Sequence, residues 1–336
     1  MPHAFIASAP TRLDFGGGWT DVPPYPEERG GVVCNLAITR RATARVVPTP
    51  TAHDVPHHTD ALVAAALRRA AFPADVTVVS DFPIGAGLGG SSAAGVALAA
   101  ALHAARGLTA SPATLAEWSR EVEVADLGIA GGRQDHYAAA YGGALGLRFG
   151  ASTHVEQIPL TAEMTAALEH QCLLAYTGES RISGDTIAAV LTGYRERVPR
   201  VVQALARMAA LAEQMIAALR RGAIDELVAL VDEHWQHQRA LHPGITTTRI
   251  DALEQAVRAA GATAVKALGA SGGGCVVVFA PADRTDAVAA ALAPFAERLA
   301  WRVDPHGVQR HTDAAGAPAV RPASDALAAA PTGRVS

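Results

Sequence analysis

The residues best suited to chemistry gather around glycine-rich loops. PIGAGLGGSSAA (83–94) lies between the alternating run DVTVVSD (75–81) and an alanine-rich helical stretch that starts at Ser91. A glycine loop at a helix start offers unpaired amide N–H groups and the positive end of the helix dipole, so its natural guest is phosphate. The donors would be the amides of Gly85, Ala86, Gly87, Leu88, Gly89, Gly90, Ser91 and Ser92, and the two serine hydroxyls can also ligate a cation.

Two familiar patterns fail to explain this loop. GxxxxGK[ST] demands a lysine after Gly90, where Ser91 stands. GxGxxG is met by Gly85, Gly87 and Gly90, but the following helix leads to a second one, capped at Ser111-Pro112, and not to a parallel strand ending in an acid. Taken alone, the loop is either a phosphate cradle or a tightly packed turn. Three further segments bear on that choice: APTRLDFGGGWTD (9–21), GGRQDHYAAAYGG (131–143) and KALGASGGGCVVV (266–278).

A scaffold must hold these segments together. Strands are expected at 3–9, 32–38, 42–48, 75–81, 143–149, 171–176, 262–267, 274–280 and 299–304, from their Val, Ile and Thr content and alternation. Helices are expected from a cap at Thr59 to about Ala71, from Ser91 to Arg106, from Ser111-Pro112 to about Ala125, and near 135–141. Thr161 to Ala260 is mostly helical, broken at Gly193 and Pro199. Strands and helices do not alternate regularly, which favours an α+β architecture over a doubly wound parallel sheet.

The 336 residues are 50% hydrophobic and 18% charged, ample for a buried core, and the formal net charge is −4. That balance argues against nucleic acid or an anionic membrane as the partner. Cys34, Cys172 and Cys275 form no CxxC pair, so neither a disulfide framework nor a zinc site is expected, and with no signal-peptide pattern at the start a cytoplasmic setting fits. Lys266 is the only lysine among 28 basic residues, read here as compositional bias. His53, His57 and His58, in a turn without partner acids, and His234, His237 and His242, of which the first two lie on one helix face, read as surface or packed side chains.

Jointly, the four segments resemble the GHMP kinase superfamily, and they span almost the whole chain up to about Thr312. FGGGWTDVPPY, GGRQDHYAAAYGG and YTGESR (176–181) look most like its sugar 1-kinase branch, which holds D-glycero-D-manno-heptose 7-phosphate kinases and L-fucokinases. The resemblance implies a ribosomal protein S5 domain 2-like N-terminal domain (1–160) and a ferredoxin-like C-terminal domain (161–311), and the Ala, Pro, Gly and Ser of 312–336, without periodicity, are expected to form a disordered tail. It implies an ATP- and Mg²⁺-dependent enzyme that phosphorylates the anomeric hydroxyl of a heptose 7-phosphate or related sugar. The alternatives are a fucokinase- or galactokinase-like enzyme acting on a free hexose, or a non-catalytic sugar or nucleotide sensor. Its partners would be a small-molecule sugar and ATP, its state monomer or homodimer.

The family pattern assigns roles residue by residue. Asp135 would be the catalytic base, although it also stands where it could cap the helix over HYAAAY, and Arg12 would lie beside it. Ser92 and Glu123 would hold Mg²⁺, with Glu121 the alternative acid. Gly272 and Gly273 in the third glycine loop would add to the phosphate site. Asp21, Trp19, Thr20 and Gly18 would face the sugar, and Arg133 and Arg181, with Ser180 and Ser183, would hold a second phosphate. The chain departs from galactokinases, which carry Gly-Glu-His where Gly17-Gly18-Trp19 stand, and Gln238 replaces a lysine found in heptose kinase relatives.

Overall fold

The computed structural model describes residues 3–49, 60–179 and 184–311. Expectations for His53, His57, His58, Thr59, Ser180, Arg181, Ser183 and the tail from 312 fall outside the described residues.

The chain begins with β1 (Phe5–Gly16), a short α1 (Tyr25–Arg29) and the long β2 (Gly31–Pro48). It continues through α2 (Ala61–Ala70), β3 (Ala74–Ser80), α3 (Gly90–Ala105), α4 (Pro112–Glu121), α5 (Gln134–Tyr141), β4 (Ala144–Phe149) and β5 (Thr153–Ile158). Next come α6 (Ala162–Gln171), β6 (Cys172–Tyr176), α7 (Gly184–Arg195), α8 (Pro199–Arg221), α9 (Ile224–Leu241) and α10 (Thr248–Ala259). The last elements are β7 (Ala264–Ala267), β8 (Cys275–Phe279), α11 (Thr285–Leu292), β9 (Glu297–Arg298) and β10 (Gln309–His311).

Two antiparallel sheets organise these elements, in the orders β10-β1-β2-β4-β5 and β7-β8-β6-β9. The two strands expected at 32–38 and 42–48 are one strand, β2. Its first half pairs with β4 and its second half with β3, across a register shift between Pro10 and Thr11 of the neighbouring β1. The run LAWRVD (299–304) does not form the strand its alternation suggests. Its hydrogen bonds are divided between the sheets: Leu299 N–H reaches Leu174 O at 2.9 Å, while Thr39 N–H reaches Arg302 O and Asp304 N–H reaches Ala37 O, both at 2.9 Å. No single ladder can form from a segment that crosses from one sheet to the other.

The alanine-rich α3 is buried on all sides from Ser92 to Leu102, as expected of a helix apolar around its whole circumference. Its small side chains let it lie close on β1 and β2. A second core, with Leu13, Phe15, Leu36, Met215, Val277 and Phe279, fills the space between the sheets. A third packs Trp235, Tyr194, Leu205 and Leu253 behind the second sheet. Among the described residues α8 alone is long and apolar enough to cross a membrane, but its apolar stripe packs on β1, β2 and α9 and its other positions carry Arg200, Arg207, Glu213 and Arg220.

Candidate active site

The expected phosphate loop joins β3 to α3. Ala86 and Leu88 turn their side chains into the core between the sheets, leaving Gly85 exposed and Gly87 and Gly89 partly so. Gly87 and Gly89 have φ of 73° and 74°, and no side chain would fit at either. A Cβ at Gly87 would lie 2.7 Å from Leu268 O, and one at Gly89 would lie 2.9 Å from Asp135 Cγ. The loop is squeezed between the third glycine loop and the Asp135 carboxylate, and the first turn of α3 supplies amides with no intrahelical acceptor.

The third glycine loop acts as a brace. Cys275 N–H donates to Ala86 O at 2.7 Å, and Gly274 N–H to Glu179 O at 2.6 Å. Gly272 N–H donates to Ile245 O at 2.9 Å, which withdraws that amide from the expected phosphate set. Gly273 sits against Glu179 O, where a Cβ would come within 2.7 Å. Cys275 is buried, and burial pushes its thiol up to about 12, far from a thiolate nucleophile.

Arg12 and Asp135 meet across 123 residues of sequence. Arg12 Nε donates to Asp135 Oδ1 at 2.7 Å and its Nη1 to Gly87 O at 2.6 Å. The guanidinium is 3% exposed and the carboxylate 26%, so the pair is anchored from beneath and open above. Asp135 lies in the first turn of α5 without capping it. The N–H of Gln134 instead donates to Asp21 Oδ2 at 3.0 Å.

Ser92 and Glu123 also converge. Ser92 Oγ lies 3.3 Å from Glu123 Oε2, and Ser91 Oγ donates to Oε1 at 2.7 Å. The helix expected to run to Ala125 stops short: α4 gives way at Val122 to a wide π-turn through Asp126, which carries Glu123. Burial works against the charged form of Glu123, but the hydrogen bonds from His136, Ser91 and Ser92 outweigh it and hold the carboxyl below its usual range. Glu121 points elsewhere, to Arg69 of α2. Among the described residues no three His, Cys, Asp or Glu side chains could hold a metal by themselves. One carboxylate and one hydroxyl nonetheless fit Mg²⁺, which takes hard oxygen donors and shares its coordination with substrate phosphates and water.

The expected sugar-facing residues are placed less uniformly. Asp21 is 1% exposed, and burial, with the charges of Asp135 and Asp14, pushes its carboxyl up to about 6 despite the Gln134 hydrogen bond. Thr20 is a correction: the single hydrogen of its hydroxyl is shared between Gly17 O (2.7 Å) and Val32 O (3.0 Å), its oxygen accepts from Val32 N–H, and the residue is fully buried, so it does not face a sugar. Trp19, at φ 81°, packs with Tyr25 and Tyr194 in the third core and not over a sugar face. Gly18 lies directly over the Asp14 carboxylate, where a Cβ would meet Oδ2 at 2.3 Å. Arg133 turns to Thr153 (3.4 Å) and Glu27 (3.9 Å), and Arg181 lies outside the described residues.

Lys266, His234 and Gln238 take structural roles that their sequence context does not assign. Lys266, the sole lysine, is fully buried and reaches Asp14 O at 2.7 Å and Asp14 Oδ2 at 3.1 Å, joining β7 of the second sheet to β1 of the first. His234 of α9 accepts the N–H of Gly17 at 2.8 Å; burial, with the Lys266 charge, brings its pKa down to about 3, so the ring is neutral. Gln238 Nε2 donates to Ser271 Oγ at 3.1 Å and Gly269 O at 3.2 Å, steadying the third loop. A lone lysine in an arginine-rich chain was the available signal.

Two antiparallel sheets thus bring together a glycine loop, an Arg–Asp pair and a Ser–Glu pair, and comparisons with known proteins place this arrangement. The chain matches the GHMP kinases N terminal domain over residues 58–143 and the GHMP kinases C terminal domain over residues 215–297. It belongs to the GHMP kinase family. It is 26% identical over 322 residues to a bifunctional fucokinase/GDP-fucose pyrophosphorylase of Arabidopsis thaliana, which covers 83% of this chain but only 30% of that protein. It is 29% identical over 221 residues to a mevalonate kinase of Pyrococcus horikoshii, covering 64% of this chain and 62% of the relative. The chain therefore spans less than two thirds of these relatives. A D-glycero-D-manno-heptose 1-phosphate kinase structure from Bacteroides thetaiotaomicron superposes with a TM-score of 0.75 at 22% identity, covering 93% of this chain and all of that one.

Proposed function

We propose that the protein is an ATP- and Mg²⁺-dependent sugar kinase acting on an anomeric hydroxyl. One observation carries the reading: the Asp135 carboxylate is pressed against Gly89 of the phosphate loop, with Arg12 bonded to both that carboxylate and the loop backbone. Oδ1 is occupied by Arg12, which leaves Oδ2 to accept the proton of a sugar hydroxyl placed beside the terminal phosphate. Arg12 stays to balance charge as the proton moves. The amides from Gly85 to Ser92, except that of Ala86, which donates to Pro83 O at 3.3 Å, and without Gly272, bind and orient the phosphates. Magnesium held by Ser92 and Glu123 would neutralise phosphate charge during a transfer whose transition state is loose.

Between the two sugar classes, Arg133 tips the balance. Its engagement with Glu27 and Thr153 takes it away from a second phosphate and favours an unphosphorylated hexose of the fucose kind over a heptose 7-phosphate. The likeness to a fucokinase over most of the chain points the same way. The test is ADP release with Mg·ATP across fucose, galactose, mannose and D-glycero-D-manno-heptose 7-phosphate, with phosphorus NMR of the product. Turnover of a free hexose to a sugar 1-phosphate is expected. Turnover of the heptose phosphate alone would restore the second phosphate site and direct attention to Arg181. No turnover with any sugar, alongside tight ATP binding, would sink the kinase reading.

A further inference from the structure

His136 follows Asp135 on α5, and nothing in the proposed chemistry uses it. Its ring is 1% exposed, and both nitrogens are committed. Nε2 lies 3.0 Å from Glu123 Oε2 and 3.3 Å from Ser92 Oγ, while Nδ1 lies 3.0 Å from Ser119 Oγ on α4. An ionised carboxylate only accepts hydrogen bonds, so Nε2 carries the hydrogen given to Glu123. In a neutral ring Nδ1 is then an acceptor, and the Ser119 hydroxyl donates to it. Space for that hydroxyl comes from α3, where a Cβ at Gly95 would lie 2.3 Å from Ser119 Oγ.

These contacts close a circuit through α3, α4, the π-turn and α5. Without His136, only the Ser91 and Ser92 hydroxyls would hold the Glu123 carboxylate at the edge of an irregular turn. A purely apolar filler at position 136 would occupy the volume without holding either oxygen ligand. We infer that His136 is a positioning residue for the divalent cation: Ser119 sets its tautomer, and its Nε2–H fixes Glu123 beside Ser92 before the metal and nucleotide arrive. This inference rests on the metal role given above to Ser92 and Glu123. Hydrogen bonds behind a metal ligand commonly change metal affinity by about 10–100-fold when removed.

The experiment reads binding and not turnover. Mn²⁺ is titrated by electron paramagnetic resonance into the full chain saturated with a non-hydrolysable ATP analogue, for wild type, His136→Ala, His136→Gln and Ser119→Ala. Circular dichroism and thermal melts confirm folding. His136→Ala is expected to weaken Mn²⁺ binding by about 10–100-fold while leaving metal-free analogue binding unchanged. His136→Gln, which keeps a donor near Nε2, should restore most of the affinity, and Ser119→Ala should show a smaller loss. If His136→Ala does not fold, Ser119→Ala decides, since it removes a single hydroxyl. Folded variants with wild-type Mn²⁺ affinity would overturn the inference and leave the kinase reading standing. A wild-type chain that binds the analogue but no Mn²⁺ would overturn the metal site and the inference together.

Discussion

Two ion pairs begin two residues apart on β1, and they differ in almost everything else. Arg12 meets Asp135 at a rim where the carboxylate is 26% exposed, whereas Asp14 meets Lys266 where the two side chains are 4% and 0% exposed. Burial alone would raise the Asp14 carboxyl, but the Lys266 charge and hydrogen bond, with help from the Arg12 charge, outweigh it and keep the group below its usual range. The outer pair leaves one oxygen unengaged at the phosphate loop. The inner pair spends its lysine on the backbone and carboxylate of a single residue, and so ties the two sheets together. An open pair is available to a substrate; a sealed one can only serve the framework.

Substitutions should separate these roles, beginning with the largest effect. Asp135→Asn, whose amide oxygen still accepts from Arg12 Nε, should lower kcat by about 10²–10⁴-fold, since that is the range contributed by a positioned general base, while the melting temperature stays close to wild type. Lys266→Met should do the reverse. It strands a buried carboxylate and should cost about 3–5 kcal/mol in a denaturant titration, and the double variant Asp14→Leu/Lys266→Met should recover most of it. If Lys266→Met unfolds no more readily than wild type, the contrast between the pairs is wrong.

Asp21 lies between the extremes, buried yet close to both pairs. Its carboxyl titrates near 6 in the folded chain against 3.8 as the reference value, so the folded state holds that proton more tightly. The resulting stability is fully present below about pH 4 and lost as the pH rises through about 6, a total of about 3 kcal/mol. Asp21→Asn keeps an acceptor for Gln134 N–H and should flatten this slope, making the variant the more stable of the two at pH 7.5 while raising the sugar KM. A variant with the wild-type slope would show that other groups set it. The smallest effect belongs to Glu121→Gln: its exposed pairing with Arg69 should be worth less than about 1 kcal/mol, with no change in the Mg²⁺ requirement, whereas Glu123→Gln should raise that requirement.

The parts legible in the sequence were those with a local signature. The cap at Ser111 is in place, with Thr114 N–H donating to its hydroxyl, and the glycine pattern at 85–90 marks where backbone must approach backbone. The meeting of Arg12, Asp135, Ser92 and Glu123 followed from the family pattern, because local spacing carries no information about contacts so distant in the chain. What stayed hidden was tertiary. Thr20 looks like a sugar ligand until Val32 is seen to use its hydroxyl, and Trp19 looks like a sugar platform until the third core encloses it. β5 (THVEQI) is mostly polar and only partly buried, so its alternation was too weak to read. Lys266 is significant only through the burial that sets it apart.

The short β10 has a consequence for the order in which the protein can be made. It pairs Gln309, Arg310 and His311 with Ser8, Ala7 and Ile6, and Ser8 Oγ lies 2.8 Å from His311 Nε2. Further along β1 the same edge is covered by the phosphate loop, through Arg12 N–H to Leu88 O at 3.1 Å. A chain emerging from the ribosome therefore completes most of its first sheet early but leaves residues 6–8 as an unpaired strand edge until residue 311 is released. Uncovered edges invite pairing with other chains. The interval spans nearly the whole synthesis of the second sheet, so a nascent chain stalled there would still present the unpaired edge of its amino-terminal strand.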